Sequence, residues 1–507
     1  MDENFKAVIN AAEQGDAEAQ SKLGCYYIQG KTVKKDVEKA VEWWTKSAEQ
    51  KNSDAQFNLG LYYYSEHKDY KRAINWWIKS AEQDNIRAQA SLGQCYYHGE
   101  GVAIDYKKSI DWYRKAAERG YVSAQKKLGQ IYAAGKIITQ NYEKSVYWIS
   151  KAAEQGDVES QAFLGHFYHD GVGVSKDYVK SIEWHTKAAE QGYADSQVLL
   201  GIYYFTGNEI AQDYEKSVYW LGKAGEQGHA YAQFMLGVCY EEGKGVSKDS
   251  EKAIEWYTKA AEQGNVKAQN KLAACYRYGR GVTQGYNTAV DWYMKAAELG
   301  DSQAQYEIGK CYELGIGRLA KDNEKAIEWY TKSAEQGNVD AQYELGCSYF
   351  LGQREFNGQI LGLRATKDFE KAAEWLEKAA EQGNANAQSL MGTFYNDGRG
   401  VPQDSEKAMY WWQKAAEQGD AFGQYALGTC YDVAQNAQKA VYWWEKAAAQ
   451  GEENALYMLG NAYRYGRGVA QDYLKAMELW KRAVEKGHQE ALAQMQRLLN
   501  AVNQSKM

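Results

Sequence analysis

Residues 229–264 read HAYAQFMLGVCYEEGKGVSKDSEKAIEWYTKAAEQG, and this stretch predicts two helices joined by a loop. In the first part, Ala232, Leu236 and Tyr240 recur every four residues, which places them on one stripe of a helix. Gly243 is expected to end this helix, and the segment GKGVSKD that it opens reads as a loop.

The second helix of the stretch is predicted from its caps and its apolar face. Asp249 is a suitable N-cap, because its carboxylate can accept hydrogen bonds from the first turn. Ala253, Trp256, Tyr257 and Ala260 are then expected to face inward. The glycine that ends the segment is expected to close the helix as a left-handed C-cap.

The same pattern recurs along the whole chain, as Leu-Gly followed by Tyr three residues later. Its leading residues are Leu23, Leu59, Leu92, Leu128, Leu164, Leu200, Leu236, Leu272, Ile308, Leu345, Met391, Leu427 and Leu459. Every one of them is followed four places later by a tyrosine, and all but one are followed directly by glycine; the exception is Ala273. Since most leading residues are 36 positions apart, the chain reads as thirteen repeats of two helices.

The small and large residues of the repeat suggest how the helices pack. Glycine after the leading residue should let neighbouring helix backbones approach, and all 17 tryptophans fall on second helices, where we expect them in the core. One hairpin of such short helices is marginal alone, whereas a stack buries a continuous core.

The boundaries follow from the repeat. We expect one array over residues 1–507, with a capping helix at 1–15, thirteen repeats at 16–487, and a C-terminal capping helix and tail at 488–507. The interval between leading residues shrinks to 33 after Leu59 and to 32 after Leu427, and it stretches to 46 after Leu345, where an enlarged loop is predicted near 353–367.

The phrases AAEQGNVKAQ, LGVCYEEGKGVSKD and EKAIEWYTKAAEQG resemble the Sel-1-like repeat, a relative of the tetratricopeptide repeat. The resemblance covers nearly all of residues 1–500 and implies an all-α fold, an α/α superhelical solenoid of about thirteen two-helix repeats. It also implies a scaffold or adaptor that binds protein partners. Bacterial members of the family include secreted effectors and immunity proteins that neutralise toxins.

Composition narrows the classes of partner and the location. The net charge of −7 argues against nucleic acid, which is bound mainly through clustered Lys and Arg. The chain has no run of about 18 apolar residues, so we expect no membrane insertion. The acidic amino terminus does not resemble a secretory signal, so a cytoplasmic location is expected, with signal-independent secretion left open.

Candidate chemistry is sparse, and we expect no enzyme site, no metal and no cofactor. The seven cysteines lie on first helices and are interpreted as small packing residues, because adjacent hairpins are too far apart for disulfides. His166, His169, Asp170 and His185 could be imagined as metal ligands, but an exposed polar patch is the preferred interpretation. The sequence contains no HExxH, GxxxxGK[ST] or GxSxG motif.

The resemblance to tetratricopeptide repeats places four positions of each repeat on the concave face, at two before and two, five and six after the leading residue. We predict a partner-binding surface there, formed by Phe57, Leu61, Tyr64, Val198, Ile202, Phe205, Phe234, Tyr306, Tyr343, Phe350, Tyr425 and Tyr457. Arg277 and Tyr278 occupy equivalent positions in the eighth repeat. Two interpretations stay open, because the strip could be an exposed interface or could be buried by the tight packing of its own side chains.

The enlarged loop is a second candidate for contact with a partner. Its segment QREFNGQILGLRATKD carries Phe356, Ile360 and Leu361, and insertions in repeat proteins often lie at binding faces. A harmless expansion of the loop is the alternative.

The function expected from the sequence is a non-enzymatic scaffold that binds a protein or peptide on its concave face. The first alternative is a bacterial immunity protein or secreted effector that binds a toxin or a host protein. A β-lactam-binding hydrolase is a further alternative, although the relatives of that kind pair two cysteines within each repeat and no repeat here has more than one.

Overall fold

A computed structural model describes residues 3–208, 210–352, 354–356, 359–361 and 367–504. The first helices in chain order are α1 (Glu3–Glu13), α2 (Ala17–Gln29), α3 (Val37–Glu49), α4 (Ser53–Ser65), α5 (Tyr70–Ala81), α6 (Ile86–His98), α7 (Tyr106–Glu118), α8 (Val122–Ala134), α9 (Tyr142–Glu154), α10 (Val158–Asp170), α11 (Tyr178–Glu190), α12 (Ala194–Thr206), α13 (Tyr214–Glu226) and α14 (Ala230–Glu242). They belong to one compact unit, Met1–Lys248.

A second compact unit is Asp249–Met507. Its helices are α15 (Ser250–Glu262), α16 (Val266–Tyr278), α17 (Tyr286–Glu298), α18 (Ser302–Leu314), α19 (Asn323–Glu335), α20 (Val339–Leu351), α21 (Phe369–Glu381), α22 (Ala385–Asp397), α23 (Ser405–Glu417), α24 (Ala421–Val433), α25 (Ala437–Ala449), α26 (Glu453–Tyr465), α27 (Tyr473–Glu485) and α28 (Gln489–Gln504). Within each unit every helix packs against the next along the chain. The predicted all-α fold of two-helix repeats is confirmed.

The helix ends lie where the sequence predicts them. Gly243 follows α14 in the left-handed conformation, with φ +74°, and its N–H donates to the carbonyl of Cys239. At the start of α15 a carboxylate oxygen of Asp249 accepts a 3.0 Å hydrogen bond from the backbone N–H of Lys252. Gly264, at φ +83°, ends the turn after α15. These caps satisfy backbone groups that have no partner inside the helices.

The glycine after the leading residue makes room for a side chain of the second helix, and in several repeats the helix backbones also approach closely. A β-carbon on Gly24 would lie 3.0 Å from the carbonyl oxygen of Ala40. A β-carbon on Gly60 would lie 2.4 Å from the indole of Trp77, and one on Gly309 would lie 2.6 Å from the ring of Tyr330. Each of these side chains belongs to the second helix of the same repeat. The residues that fill this slot are Trp44, Trp77, Tyr113, Ile149, His185, Leu221, Tyr330, Leu376, Trp412, Trp444 and Trp480.

The tryptophans divide into two groups, so the expectation that all of them are core residues is wrong. Trp44, Trp77, Trp148, Trp220, Trp411, Trp412, Trp444 and Trp480 are buried, and Trp43, Trp76, Trp112, Trp184, Trp256, Trp292, Trp329, Trp375 and Trp443 are only half-buried. Each half-buried ring is covered by the lysine three residues later, for example Lys259 over Trp256 at 4.2 Å from ammonium to ring centre. Residues three apart share a helix face, so the lysine and the ring form a cation–π pair at the surface.

A series of buried glutamines links successive helices, and the sequence reasoning missed it. The glutamine three places before the leading residue donates from Nε2 to the backbone carbonyl eight residues earlier, at 2.9–3.3 Å. The donors are Gln20, Gln56, Gln89, Gln125, Gln161, Gln197, Gln233, Gln269, Gln305, Gln342, Gln388 and Gln424. In most repeats its Oε1 accepts from a second glutamine, as Gln388 does from Gln418 at 2.8 Å. We call this arrangement the glutamine ladder.

Two members of the glutamine ladder lack the second hydrogen bond. Gln89 and Gln269 each have a buried Oε1 with no partner in the part of the chain that the structure describes. In other repeats a second glutamine at the end of the next helix supplies the donor. The equivalent position is Arg119 for Gln89 and Leu299 for Gln269. A buried amide oxygen without a donor costs free energy, so these are the weak points of the ladder.

The enlarged loop contains a short antiparallel hairpin of two strands, β1 (Arg354–Phe356) and β2 (Gln359–Leu361). The backbones of Phe356, Ile360 and Leu361 lie in these strands, and their side chains lie outside the described part of the structure. Across the described residues, none of the helices has both the length and the apolar character needed to span a bilayer.

Candidate functional site

The structure distributes the twelve predicted concave-face residues over three levels of exposure. Phe57, Val198, Phe234 and Tyr306 are buried, with 7–9% of their surface exposed. Tyr64, Ile202, Phe205, Tyr343, Phe350, Tyr425 and Tyr457 are half-buried, and Leu61 is 46% exposed. All four buried members therefore lie two places before the leading residue of their repeat.

The buried rings pack against the second helix of their own repeat. Phe57 stacks on Trp77 with ring centres 6.5 Å apart, and the guanidinium of Arg87 lies over the Phe57 ring, 4.5 Å from its centre. Tyr306 lies 5.7 Å from the ring of Tyr330. The four buried side chains offer little free surface to a partner. For them the second interpretation applies, in which the strip is buried by the packing of its own side chains.

Several half-buried rings are also engaged by neighbours. The hydroxyl of Tyr64 donates to Glu100 at 2.9 Å, and burial together with this carboxylate raises the pKa of Tyr64 to about 12. Tyr457 stacks on His488 with ring centres 4.3 Å apart. Burial raises the pKa of Tyr343 as well.

Arg277 and Tyr278 behave differently from each other. Tyr278 is 54% exposed, whereas Arg277 is 8% exposed and its guanidinium pairs with the carboxylate of Glu307 on α18. The arginine therefore links α16 to α18 within the second unit and is not free to contact a partner.

The histidines do not converge on one point. His185 is fully buried in the slot beside Gly165, with Nδ1 3.1 Å from the hydroxyl of Ser196 and its ring 4.7 Å from that of His166. His169 instead pairs with Asp170 at 2.7 Å. Within the described residues no group of three candidate ligands could hold a metal ion.

Burial sets the protonation of His185. Loss of water lowers its pKa to about 3, with smaller contributions from His166 and His169. Its Nε2 is buried and has no partner among the described residues. The imidazole is therefore neutral near pH 7 and replaces an aromatic or aliphatic core residue.

The cysteines are free thiols, and four of them are buried: Cys95, Cys239, Cys275 and Cys311. Burial raises the pKa of Cys95 to about 12 and of Cys239 and Cys311 to about 11. Such thiols carry little thiolate at neutral pH, so they behave as small apolar residues. Cys25, Cys347 and Cys430 are half-buried.

A cavity of about 470 Å³ lies in the second unit, between the eleventh and twelfth repeats. Its lining residues are Thr393, Asn396, Ser405, Met409, Trp412, Phe422, Tyr425, Ala426, Thr429, Cys430 and Val433. None of them is charged, and the size lies within the range of about 300–1,000 Å³ that is usual for ligand pockets. We call it the α22–α24 cavity. Tyr425 belongs to the predicted concave face, and Thr393, Asn396, Thr429 and Val433 occupy positions of the same face.

Three polar groups of the wall are already hydrogen-bonded within the protein, and the cavity presents mainly apolar surface. The hydroxyls of Thr393 and Thr429 donate to carbonyls of their own helices at 3.2 and 3.1 Å. The indole N–H of Trp412 donates to the carbonyl of Ser389 at 3.2 Å. Phe422, 41% exposed, and Val433, 79% exposed, stand at the rim.

Of the lining residues, sequence reasoning assigned only Tyr425 to a binding surface. A signal for the others was present, because the interval of 32 after Leu427 marks a repeat without its glycine loop. The connection from α24 to α25 is only residues 434–436. A second cavity of about 500 Å³ in the first unit has charged walls, with Lys107, Asp111, Arg114 and Lys144.

The repeated hairpins and their shared packing slots define an all-α solenoid repeat protein. The Sel1 repeat model matches residues 17–52, 53–85, 86–121, 122–157, 158–193, 194–229, 230–265, 266–301, 302–338, 339–384, 385–420, 421–452 and 454–488. The chain belongs to the Sel1-repeat family. No curated protein matches it.

Two solved structures of 34% identity support the same assignment. A protective antigen from uropathogenic Escherichia coli strains, which displays an SLR fold, is 34% identical, with 98% of each chain covered and a TM-score of 0.75. A Sel1 repeat protein from Oxalobacter formigenes is 34% identical over 62% of this chain and 89% of its own, with a TM-score of 0.52. An immunity protein from Pseudomonas aeruginosa is 23% identical over 44% of this chain and 81% of its own, with a TM-score of 0.29.

Proposed function

We propose that the chain is a non-catalytic scaffold that binds an apolar segment of a partner protein, with the α22–α24 cavity as its main anchoring point. Sel1-repeat proteins are generally protein-interaction scaffolds, and the family is generally non-catalytic. The observation that carries the proposal is an uncharged cavity with two accessible aromatic rings, Phe422 and Tyr425, in its wall.

The chemistry of the cavity favours a protein segment as the ligand. Aromatic and aliphatic walls gain free energy mainly by removing apolar surface from water, and aromatic residues dominate the energy of protein interfaces. A net charge of −7 and a cavity without basic residues disfavour phosphate-containing ligands. We propose the cytoplasm as the location, because there the seven free thiols stay reduced.

The test uses peptides selected from a random display library on the purified full-length chain. Binding of each selected peptide is then measured by fluorescence anisotropy for wild type, Phe422→Ala and Tyr425→Ala. We expect each substitution to weaken binding about 10-fold or more, as for a central aromatic contact. Tyr442→Ala is the matched control, since Tyr442 is an exposed aromatic residue of the neighbouring α25 that lies outside the cavity. The proposal is wrong if no peptide is selected, or if all three variants bind as wild type does.

A further inference from the structure

We propose that the α22–α24 cavity is a receptor for an aromatic side chain of the partner segment. This side chain would take the place of rings that some other repeats, such as the tenth, supply from their own sequence. This inference rests on the proposed function and adds the chemical identity of the anchoring residue. It follows from a comparison of the tenth repeat with the eleventh.

In the tenth repeat the equivalent space is filled by three phenylalanines. Phe350 of α20 lies 6.1 Å from Phe369, the first residue of α21, and 5.3 Å from Phe394 of α22. The rings of Phe369 and Phe394 are 6.3 Å apart. One repeat later these three positions hold Asn396, Ser405 and Cys430. All three of the smaller residues line the cavity.

A similar ring pair occurs in four repeats of the first unit. A ring five places after the leading residue contacts the ring that begins the following helix, at 5.2–5.6 Å between centres. The pairs in the first unit are Tyr64 with Tyr70, Tyr97 with Tyr106, His169 with Tyr178, and Phe205 with Tyr214. At Asn396 and Ser405 both rings are missing, and these two smaller residues line the cavity.

A second, independent change leaves the same place uncovered. In complete repeats a glycine of the loop packs against the first residue of the preceding second helix. A β-carbon on Gly400 would lie 1.9 Å from the carbonyl oxygen of Phe369. A β-carbon on Gly468 would lie 2.4 Å from the carbonyl oxygen of Ala437. The twelfth repeat lacks this loop, so no such glycine covers Ser405.

The ring that enters should be uncharged, since no lining residue carries a charge. It would pack against Trp412, Phe422 and Tyr425. Contacts between aromatic rings add about 0.5–1.5 kcal/mol beyond the burial of area, which corresponds to about 2- to 10-fold in affinity over an aliphatic group.

The test uses N-acetyl-phenylalaninamide as the probe and N-acetyl-leucinamide as its aliphatic match. The full-length chain is labelled with ¹³C at its nine methionine methyl groups, and the Met409 resonance is assigned with Met409→Leu. We expect the aromatic probe to shift the Met409 methyl resonance upfield in a saturable way and to bind about 2- to 10-fold more tightly than the aliphatic probe. It should also slow alkylation of Cys430 by iodoacetamide, with no effect on the buried Cys239 and Cys311.

The matched control fills the cavity with the chain's own rings. Asn396→Phe combined with Ser405→Phe restores two of the three rings of the tenth repeat, so the probe should lose its effect on Met409 while the circular dichroism spectrum stays helical. If this variant unfolds, the inference is tested by two measurements on the wild type. These are the slower alkylation of Cys430 in the presence of the aromatic probe and the ratio of the affinities for the two probes. The inference is overturned if Met409 does not respond at any soluble probe concentration, or if the aliphatic probe binds as tightly. If the aromatic probe fails but the selected peptides still need Tyr425 for binding, the proposed function stands and only this inference is wrong. If the probe fails and the peptides do not need Tyr425, both proposals are wrong.

Discussion

Gly392 faces the indole of Trp412 so closely that a β-carbon on the glycine would lie 2.4 Å from Cδ1 of the ring. Both residues belong to the eleventh repeat, one on each helix of the hairpin. The absence of a side chain at one position therefore permits the largest side chain at the other, and the same relation recurs through the array.

Gly392→Ala is expected to lower the stability of the second unit. Overpacking costs about 1–3 kcal/mol, and the better helix propensity of alanine returns about 1 kcal/mol, so the net loss should be about 1 kcal/mol. Gly222→Ala is the matched control, because Gly222 lies in α13 and a β-carbon there meets nothing within 4 Å. Urea unfolding followed by circular dichroism should show opposite shifts of the midpoint. Equal shifts would contradict the steric account.

Leu299→Gln is expected to stabilise the second unit, because it adds the missing donor of the glutamine ladder. The Oε1 of Gln269 is buried without a partner, and Leu299 occupies the position from which a glutamine donates in other repeats. A restored hydrogen bond should contribute about 1 kcal/mol. Little apolar burial is lost, since Leu299 is 61% exposed. Thermal unfolding is the measurement, and Leu299→Ser, which is polar but lacks the amide, should not raise the midpoint.

The sequence predicts local features of this fold better than distant contacts. Asp249 and Gly243 could be assigned as caps because their roles depend on their immediate neighbours. The burial of Phe57 could not be predicted, since it depends on Trp77 and Arg87 in the next two helices. The α22–α24 cavity was missed for a related reason. It results from the absence of rings and of a loop, and an absence is visible only when one repeat is aligned with the next.

Glu307→Gln is expected to destabilise the second unit by about 3 kcal/mol. Arg277 is nearly buried, and removing the charge of its partner leaves the guanidinium without a counter-ion. The double variant Arg277→Met with Glu307→Met should recover most of the loss, because apolar residues of similar volume can replace a buried ion pair. Urea unfolding of Arg277→Met, Glu307→Met and the double variant forms the cycle that tests this. Additive losses would show that the two charges are not coupled.

The first unit is expected to lose stability as the pH falls below about 6.5 because of His185. Burial lowers the pKa of His185 to about 3 in the folded chain, whereas the unfolded chain binds a proton with the ordinary pKa of about 6.5. The unfolded state therefore binds more protons between these values, and stability must rise with pH across this window. Between pH 7 and pH 5 the loss should reach about 2 kcal/mol. His166, His169 and Ser196 are the polar groups that face His185, and they remain in the control variant His185→Leu, which copies Leu221 of the next repeat. Urea unfolding at both pH values should show the wild type losing stability relative to this variant, and parallel pH profiles would contradict a neutral, buried His185.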